Sequence, residues 1–205
     1  MKNGRRKMLT EERKLEIQKQ AVLVNSESEK YQLVHACSAI EKILKNQLHA
    51  IYQQEFSRLR KAIREESDVD KREQYMQEAK ELMAESNKRV RIAIEYLEEL
   101  NEDSARTTRT KNNLFTIVLP KCMQEVRGID GHIDVEKMKS IRRLMAHELG
   151  HILLHAGSIM PGDQNGTETM REDMEEEADW FADELIKLRQ ERNREIYNND
   201  NYTKF

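Results

Sequence analysis

A mainly α fold with a small sheet, α+β in class, is what this sequence predicts. Long antiparallel helices over residues 1–105 precede a smaller domain over 106–205. Three observations carry the prediction. Glycine and proline are absent from Arg5 to Leu119, and six of the seven glycines lie at or after Gly128, so helix breakers collect in the second half. Apolar residues of the first half recur at threes and fours, the period of one helical face. One run, Leu114-Phe115-Thr116-Ile117-Val118-Leu119, is dense in branched and aromatic residues and is stopped by Pro120, as a strand would be.

In order along the chain, a first helix is expected over about Thr10 to Val24, carrying Leu15, Ile17 and Val22. Ser26, with Glu29 three residues later, has the capping-box spacing that opens a second helix. Its stripe is Leu33, Cys37, Ile40, Leu44, Leu48, Ile51 and Leu59. Ser67 and Asp68 can cap a third. There Met76, Ala79, Met83, Ser86, Val90, Ala93, Leu97 and Leu100 form a heptad seam, so this helix is predicted to run to Leu100. The small seam residues favour antiparallel packing within the chain; a homodimer through the same helices stays open. Asn101 to Asn113 is polar and reads as a linker before the strand. Asp130-Gly131 suits either a hairpin turn or a loop. Asp134 should cap a helix that ends near Gly157, and Ser158 to Gly166 should be a loop. Thr169 and Glu172 form a second capping box, for a helix with Met174, Ala178, Phe181, Leu185 and Leu188 on one stripe. The tail beyond Asn193 is polar and reads as loose.

Bulk properties narrow the function classes. Charged residues are 36% of the chain and the net charge is −3, which gives no global drive toward nucleic acid or an anionic membrane. The basic start, Lys2 to Lys7, reads as a solvated terminus, with nucleic-acid contact the lesser alternative. No helix-turn-helix turn is visible. No run of 18 apolar residues predicts a membrane span, and no apolar core follows the basic start, so neither membrane nor signal peptide is expected. Cys37 and Cys122 match no metal or redox spacing and read as free, buried thiols of a cytoplasmic protein.

The chemistry centres on His147-Glu148-Leu149-Gly150-His151, an H-E-x-x-H sequence in an apolar run. Residues four apart share a helix face, so both imidazoles can point at one ion, and the carboxylate between them can reach a water there. A chance match in a chain this long is expected in under about one case in a hundred. Two histidines are one ligand short of a catalytic zinc site, which takes three and leaves a position for water. His155 is again four residues on, but ligands at i, i+4 and i+8 of a straight helix span about 12 Å and cannot converge. It reads instead as a helix-end hydrogen-bonding residue. The metzincin spacing is absent, because position 157 is Gly. The remaining candidates lie in Glu175-Glu176-Glu177-Ala178-Asp179. Glu175 and Asp179 share a face bordering the apolar stripe. If that stripe packs on the motif helix, Glu175 can be a ligand and Asp179 can hold a histidine ring N–H.

His147 to His155, followed by Glu175-x-Glu177-Ala178-x-x-Phe181-Ala182, resembles the ImmA/IrrE-type metallopeptidases. These are gluzincins, whose zinc is held by the two motif histidines and a downstream glutamate. The resemblance covers about Leu114 to Leu185. It implies a zincin-like catalytic domain over 106–205, Zn2+ on His147, His151 and Glu175, and a protein or peptide substrate, in several relatives a repressor-type regulator of phages, mobile elements or stress responses. The first hundred residues carry no part of it. Glu148 is then the general base, and His132, Tyr197 and Tyr202 are the available oxyanion donors. An extended substrate would pair with the edge of the sheet containing Phe115 to Leu119. The rival from another class is a catalytically weak, zinc-bearing binding protein acting through its helical half.

Overall fold

The computed structural model describes residues 9–28, 33–86, 89–101, 104–110, 113–125 and 132–202. Among the described residues five α-helices and a three-stranded mixed sheet make up the fold: α1 (Glu11–Glu27), α2 (Leu33–Glu65), α3 (Val69–Ser86), β1 (Arg91–Leu97), β2 (Arg106–Arg109), β3 (Leu114–Pro120), α4 (Val135–His155) and α5 (Glu172–Tyr202). The mainly α, α+β class read from the sequence is the class observed. Among the described residues no helix is long and apolar enough to cross a membrane.

Local chemistry explains most helix starts. The Thr10 hydroxyl accepts the Arg13 N–H and opens α1. The Asp68 carboxylate accepts from Asp70 N and Lys71 N ahead of α3, and the Asp134 carboxylate accepts from Lys137 N at the start of α4. The Thr169–Glu172 box does not form. Thr169 lies in a 3-10 turn, Gly166–Thr169, and its hydroxyl turns back to Gly166 O, so α5 begins at Glu172 itself. Ser26 lies inside α1, and Glu29 is outside the described residues. So are 126–131, where a hairpin or loop was expected. The tail read as loose continues α5 to Tyr202.

The largest correction concerns the third helix. It stops at Ser86, and Arg91–Leu97 is a strand. Val90, Ile92, Ile94 and Tyr96 alternate, so this stretch satisfies a period of two as well as the heptad, and branched residues favour the strand. Pairing decides the matter. β3 is the central strand, with β1 parallel on one side and β2 antiparallel on the other, so β1 completes its hydrogen bonding. The heptad seam is not buried either, since Met76 is 46% and Met83 59% exposed. β2 also lies inside the segment expected to be a linker. Four residues with two threonines are too short and too charged to show a strand period.

One hydrophobic cluster joins Ile17 and Val24 of α1, Ile40 of α2, Phe115 and Ile117 of β3, Leu149 and Ile152 of α4, and Phe181 and Leu185 of α5. It takes residues from both sides of position 105. On α1 the buried face is Ile17, Ala21 and Val24, whereas the expected Leu15 and Val22 face water. Cys37 and Cys122 are both free; Cys37 is buried as expected, but Cys122 is exposed.

Candidate metal centre

Helices α4 and α5 pack closely because Gly150 has no side chain. A methyl group there would stand 3.0 Å from Ala178 Cα and 3.2 Å from Phe181 Cδ1. The contact lies between the two motif histidines in sequence, so it draws the first turns of α5 onto the histidine-bearing face of α4. His147 Nε2 and His151 Nε2 are 3.0 Å apart. Glu175 Oε2 is 3.2 Å from His147 Nε2, and Glu175 Oε1 is 3.3 Å from His151 Nε2. Four-coordinate tetrahedral bonds of about 2.0–2.1 Å would separate neighbouring donor atoms by about 3.3 Å. The three side chains are therefore spaced as ligands of one metal ion, and they group as a candidate metal site.

One of the three side chains is held from behind. His147 Nδ1–H donates to Asp179 Oδ1 at 3.0 Å, which leaves Nε2 for the ion. Asp179 is braced in turn by Arg143, which also bonds Asp183. His151 is fully buried, and its Nδ1 is a buried atom without a hydrogen-bond partner. Its Nε2 faces only the two other members of the cluster, His147 Nε2 and Glu175 Oε1, which fits a nitrogen that could bind a metal.

Glu176 and Glu177 do not join the cluster. Glu177 takes a bidentate pair from Arg13 of α1, at 2.9 and 2.5 Å, and lies 3.5 Å from His155 Nε2. His155 therefore stays out of the ligand set, and burial lowers its pKa. Trp180 is partly buried against the core under Lys14, 4.9 Å from the ring centroid.

Burial would raise the Glu175 carboxyl, but hydrogen bonds from His147 and His151 outweigh it and hold it at about 2. For His147 burial works against the charged ring, yet the Glu175 bond and the nearby Glu148 and Asp179 charges raise its pKa. Three carboxylates around two histidines thus favour positive charge at this point, whether a proton or a cation supplies it.

Glu148 is 2% exposed, and burial raises its pKa against the opposing influence of His151 and Thr107. Its Oε2 accepts two hydroxyls, from Thr107 at 2.8 Å and Thr167 at 2.9 Å. Neither threonine was anticipated. Thr107 lies in the stretch expected to be a linker and Thr167 just past the expected loop, and nothing in their sequence context marks contact with the motif. Glu148, His147, His151 and Glu175 line a cavity of about 550 Å³ that Leu144 and Met170 make partly apolar.

Gly166 anchors the turn that delivers Thr167. Its φ is +53°, and a methyl group would stand 1.9 Å from the Thr107 carbonyl oxygen. Gly166→Ala is therefore expected to cost at least about 2 kcal/mol in denaturant unfolding, from left-handed strain and overpacking together. A loss under 0.5 kcal/mol, on the order of a neutral surface change, would show that the turn yields freely.

No curated protein and no solved structure matches the chain at a significant level. Residues 136–202 match the family model of the IrrE N-terminal-like domain, peptidase M78. That span holds both motifs and all three side chains of the cluster, and over it the chain is similar to the ImmA/IrrE-type metallopeptidases, as the motifs imply.

Proposed function

We propose that this protein is a zinc-dependent endopeptidase that hydrolyses peptide bonds in a specific protein substrate. The observation that carries the reading is the 3.0–3.3 Å triangle of His147, His151 and Glu175 donors beside a buried Glu148 carboxylate. Two nitrogens and a carboxylate oxygen are the ligand set of a catalytic zinc with one open position. Zinc held there would supply Lewis acidity, polarising a carbonyl and making water nucleophilic near neutral pH. The chain's own part follows from placement. Glu148 takes a proton from the attacking water at the carboxylate oxygen not held by the threonines, Oε1. It then returns that proton to the leaving amine nitrogen. Asp179 keeps the His147 ring oriented through Nδ1.

The residues available as oxyanion donors stand away from the cavity. His132 is exposed and does not line the cavity. Tyr197 and Tyr202 follow Glu175 by 22 and 27 residues on α5, about 33 and 40 Å along the axis. Substrate pairing is also redefined. β3 is internal, so the sheet edge beside the motif is β2. Its outer side is already occupied, since Thr107 N–H donates to Thr167 Oγ1 and Arg109 O accepts from Gly162 N. An extended substrate would meet Ser104 and Ala105, which line the cavity, ahead of that covered stretch. The proposed substrate is a regulator, such as a repressor of a phage, mobile element or stress response, as the resemblance of the two motifs implies.

Glu148→Gln tests the reading. The variant should keep one zinc per chain and lose about 10²–10⁴-fold in cleavage rate, the usual worth of a general base. It should also retain its substrate in a pull-down, and the parent should cleave the retained protein. Equal cleavage by variant and parent would overturn the mechanism. Zinc held without cleavage of a captured partner would instead favour a metal-bearing binding protein.

A further inference from the structure

We propose that Thr107 and Thr167 are positioning residues for Glu148, fixing its Oε2 so that Oε1 is the oxygen presented to the metal cleft. The inference rests on reading Glu148 as the proton acceptor, and it assigns work to two residues outside the H-E-x-x-H and Glu175 motifs. Three buried groups form a closed triangle. Thr107 Oγ1 donates to Glu148 Oε2 at 2.8 Å, Thr167 Oγ1 donates to the same oxygen at 2.9 Å, and Thr107 N–H donates to Thr167 Oγ1 at 2.8 Å. Thr107 is 0% and Thr167 2% exposed, so water does not compete for these bonds.

Proton accounting fixes the direction of every bond. A hydroxyl has one proton to give. Thr167 Oγ1 already accepts the Thr107 N–H, so its proton goes to the carboxylate. An ionised carboxylate has none to give, so Thr107 Oγ1 must also be the donor. Two hydroxyl donors on one charged oxygen are strong bonds in a site of low dielectric. They offset the cost of burying the Glu148 charge, and they do so on one side of the carboxylate only. A glutamate side chain has three rotatable bonds, and a freely rotating carboxylate would spend little time facing the reacting water. Here its plane is set by β2 on one hand and by the Gly166–Thr169 turn on the other. The turn is itself locked to β2, because Gly166 packs its backbone against the Thr107 carbonyl.

The two threonines are separable. Thr107→Val removes one bond to Glu148 and leaves Thr107 N–H on Thr167. Thr167→Val removes the second bond and also strips that N–H of its acceptor. Thr107→Ser and Thr167→Ser keep each hydroxyl while losing only a methyl group.

The experiment takes the full-length, zinc-loaded protein, with crystal structures of each variant and kinetics on the protein retained by Glu148→Gln. In the double valine variant Glu148 should leave its parental position. The kcat should fall by about 10- to 100-fold, with KM and zinc stoichiometry unchanged, because a displaced base is a transition-state loss. Each serine variant should restore kcat to within about threefold, although its stability is lower than the parent's. Glu148 unmoved in the double variant overturns the proposal, whatever the activity. Equally, a displaced Glu148 with parental kcat overturns it. If Glu148 moves as expected but the parent cleaves nothing, the positioning stands and the peptidase reading falls.

Discussion

Replacing His151 by Ala is expected to abolish stoichiometric zinc binding while leaving the metal-free fold nearly as stable as the parent. Two features produce this separation. His151 supplies one of three donors, and the remaining pair, His147 and Glu175, is a two-ligand site with two positions to fill from water. Loss of a direct ligand should exceed the 10–100-fold affinity loss typical of outer-shell changes, so binding weakens by more than about 100-fold. In the metal-free protein, however, the buried imidazole is a liability, because its Nδ1 has no partner. Removing an unsatisfied buried polar atom returns about 1–3 kcal/mol, which offsets much of the cavity left behind. Metal-free parent and variant should therefore unfold within about 2 kcal/mol of each other. Zinc at 1,000 times the parent's Kd should stabilise the parent by about 4 kcal/mol and the variant by less than about 1.5 kcal/mol. Elemental analysis and denaturant unfolding, each with and without chelator, measure both halves. His155→Ala is the control. It lies one turn further along the same helix, but outside the cluster, and should keep one zinc per chain. Zinc bound by His151→Ala at parental affinity would remove His151 from the site.

The legibility of this site in the sequence depended on which physical constraint acted locally. The i, i+4 histidine pair was readable because a helix imposes that spacing on itself. Glu175 was reachable because the apolar stripe of α5, with Ala178, Phe181 and Leu185 all fully buried, told which face packs inward and hence which carboxylate accompanies it. Glu176 and Glu177 differ from Glu175 by one and two positions, about 100° and 200° around the helix, which suffices to send Glu177 toward Arg13 of α1 instead. What the sequence did not show is whatever tertiary pairing decides. Val90 to Tyr96 fits two periods at once, and only the unfilled side of β3 selects the strand. Thr107 and Thr167 reach Glu148 from segments 41 residues before and 19 residues after it, and no local pattern announces such contacts. The seam of Met76 and Met83 failed for the opposite reason. Its period is real, but α2 gives α3 one neighbour rather than a core, so those side chains stay exposed.

Phe181→Ala should destabilise the metal-free protein by about 3–5 kcal/mol, the largest stability loss expected of any single truncation here. Among the described residues Phe181 is the largest of the fully buried side chains, and it packs where α5 crosses Gly150. It follows Glu175 by six residues, about 9 Å along the helix, so the same ring that fills the core also sets where the third ligand stands. With a metal ion bound, the three candidate ligands and the ring would do the same task, fastening α5 to α4, one through the ion and the other through packing. Zinc should consequently rescue the variant. At 1,000 times the variant's own Kd, bound metal adds about 4 kcal/mol and returns its stability close to that of the metal-free parent. In the double variant Phe181→Ala/His151→Ala, the same zinc concentration should add less than about 1.5 kcal/mol. Urea titrations of the three proteins, with zinc and with chelator, decide between the two outcomes. A Phe181→Ala protein that stays unstable at saturating zinc would mean that the metal and the core do not share the α4–α5 junction. Rescue that survives His151→Ala would place the stabilising ion elsewhere on the chain.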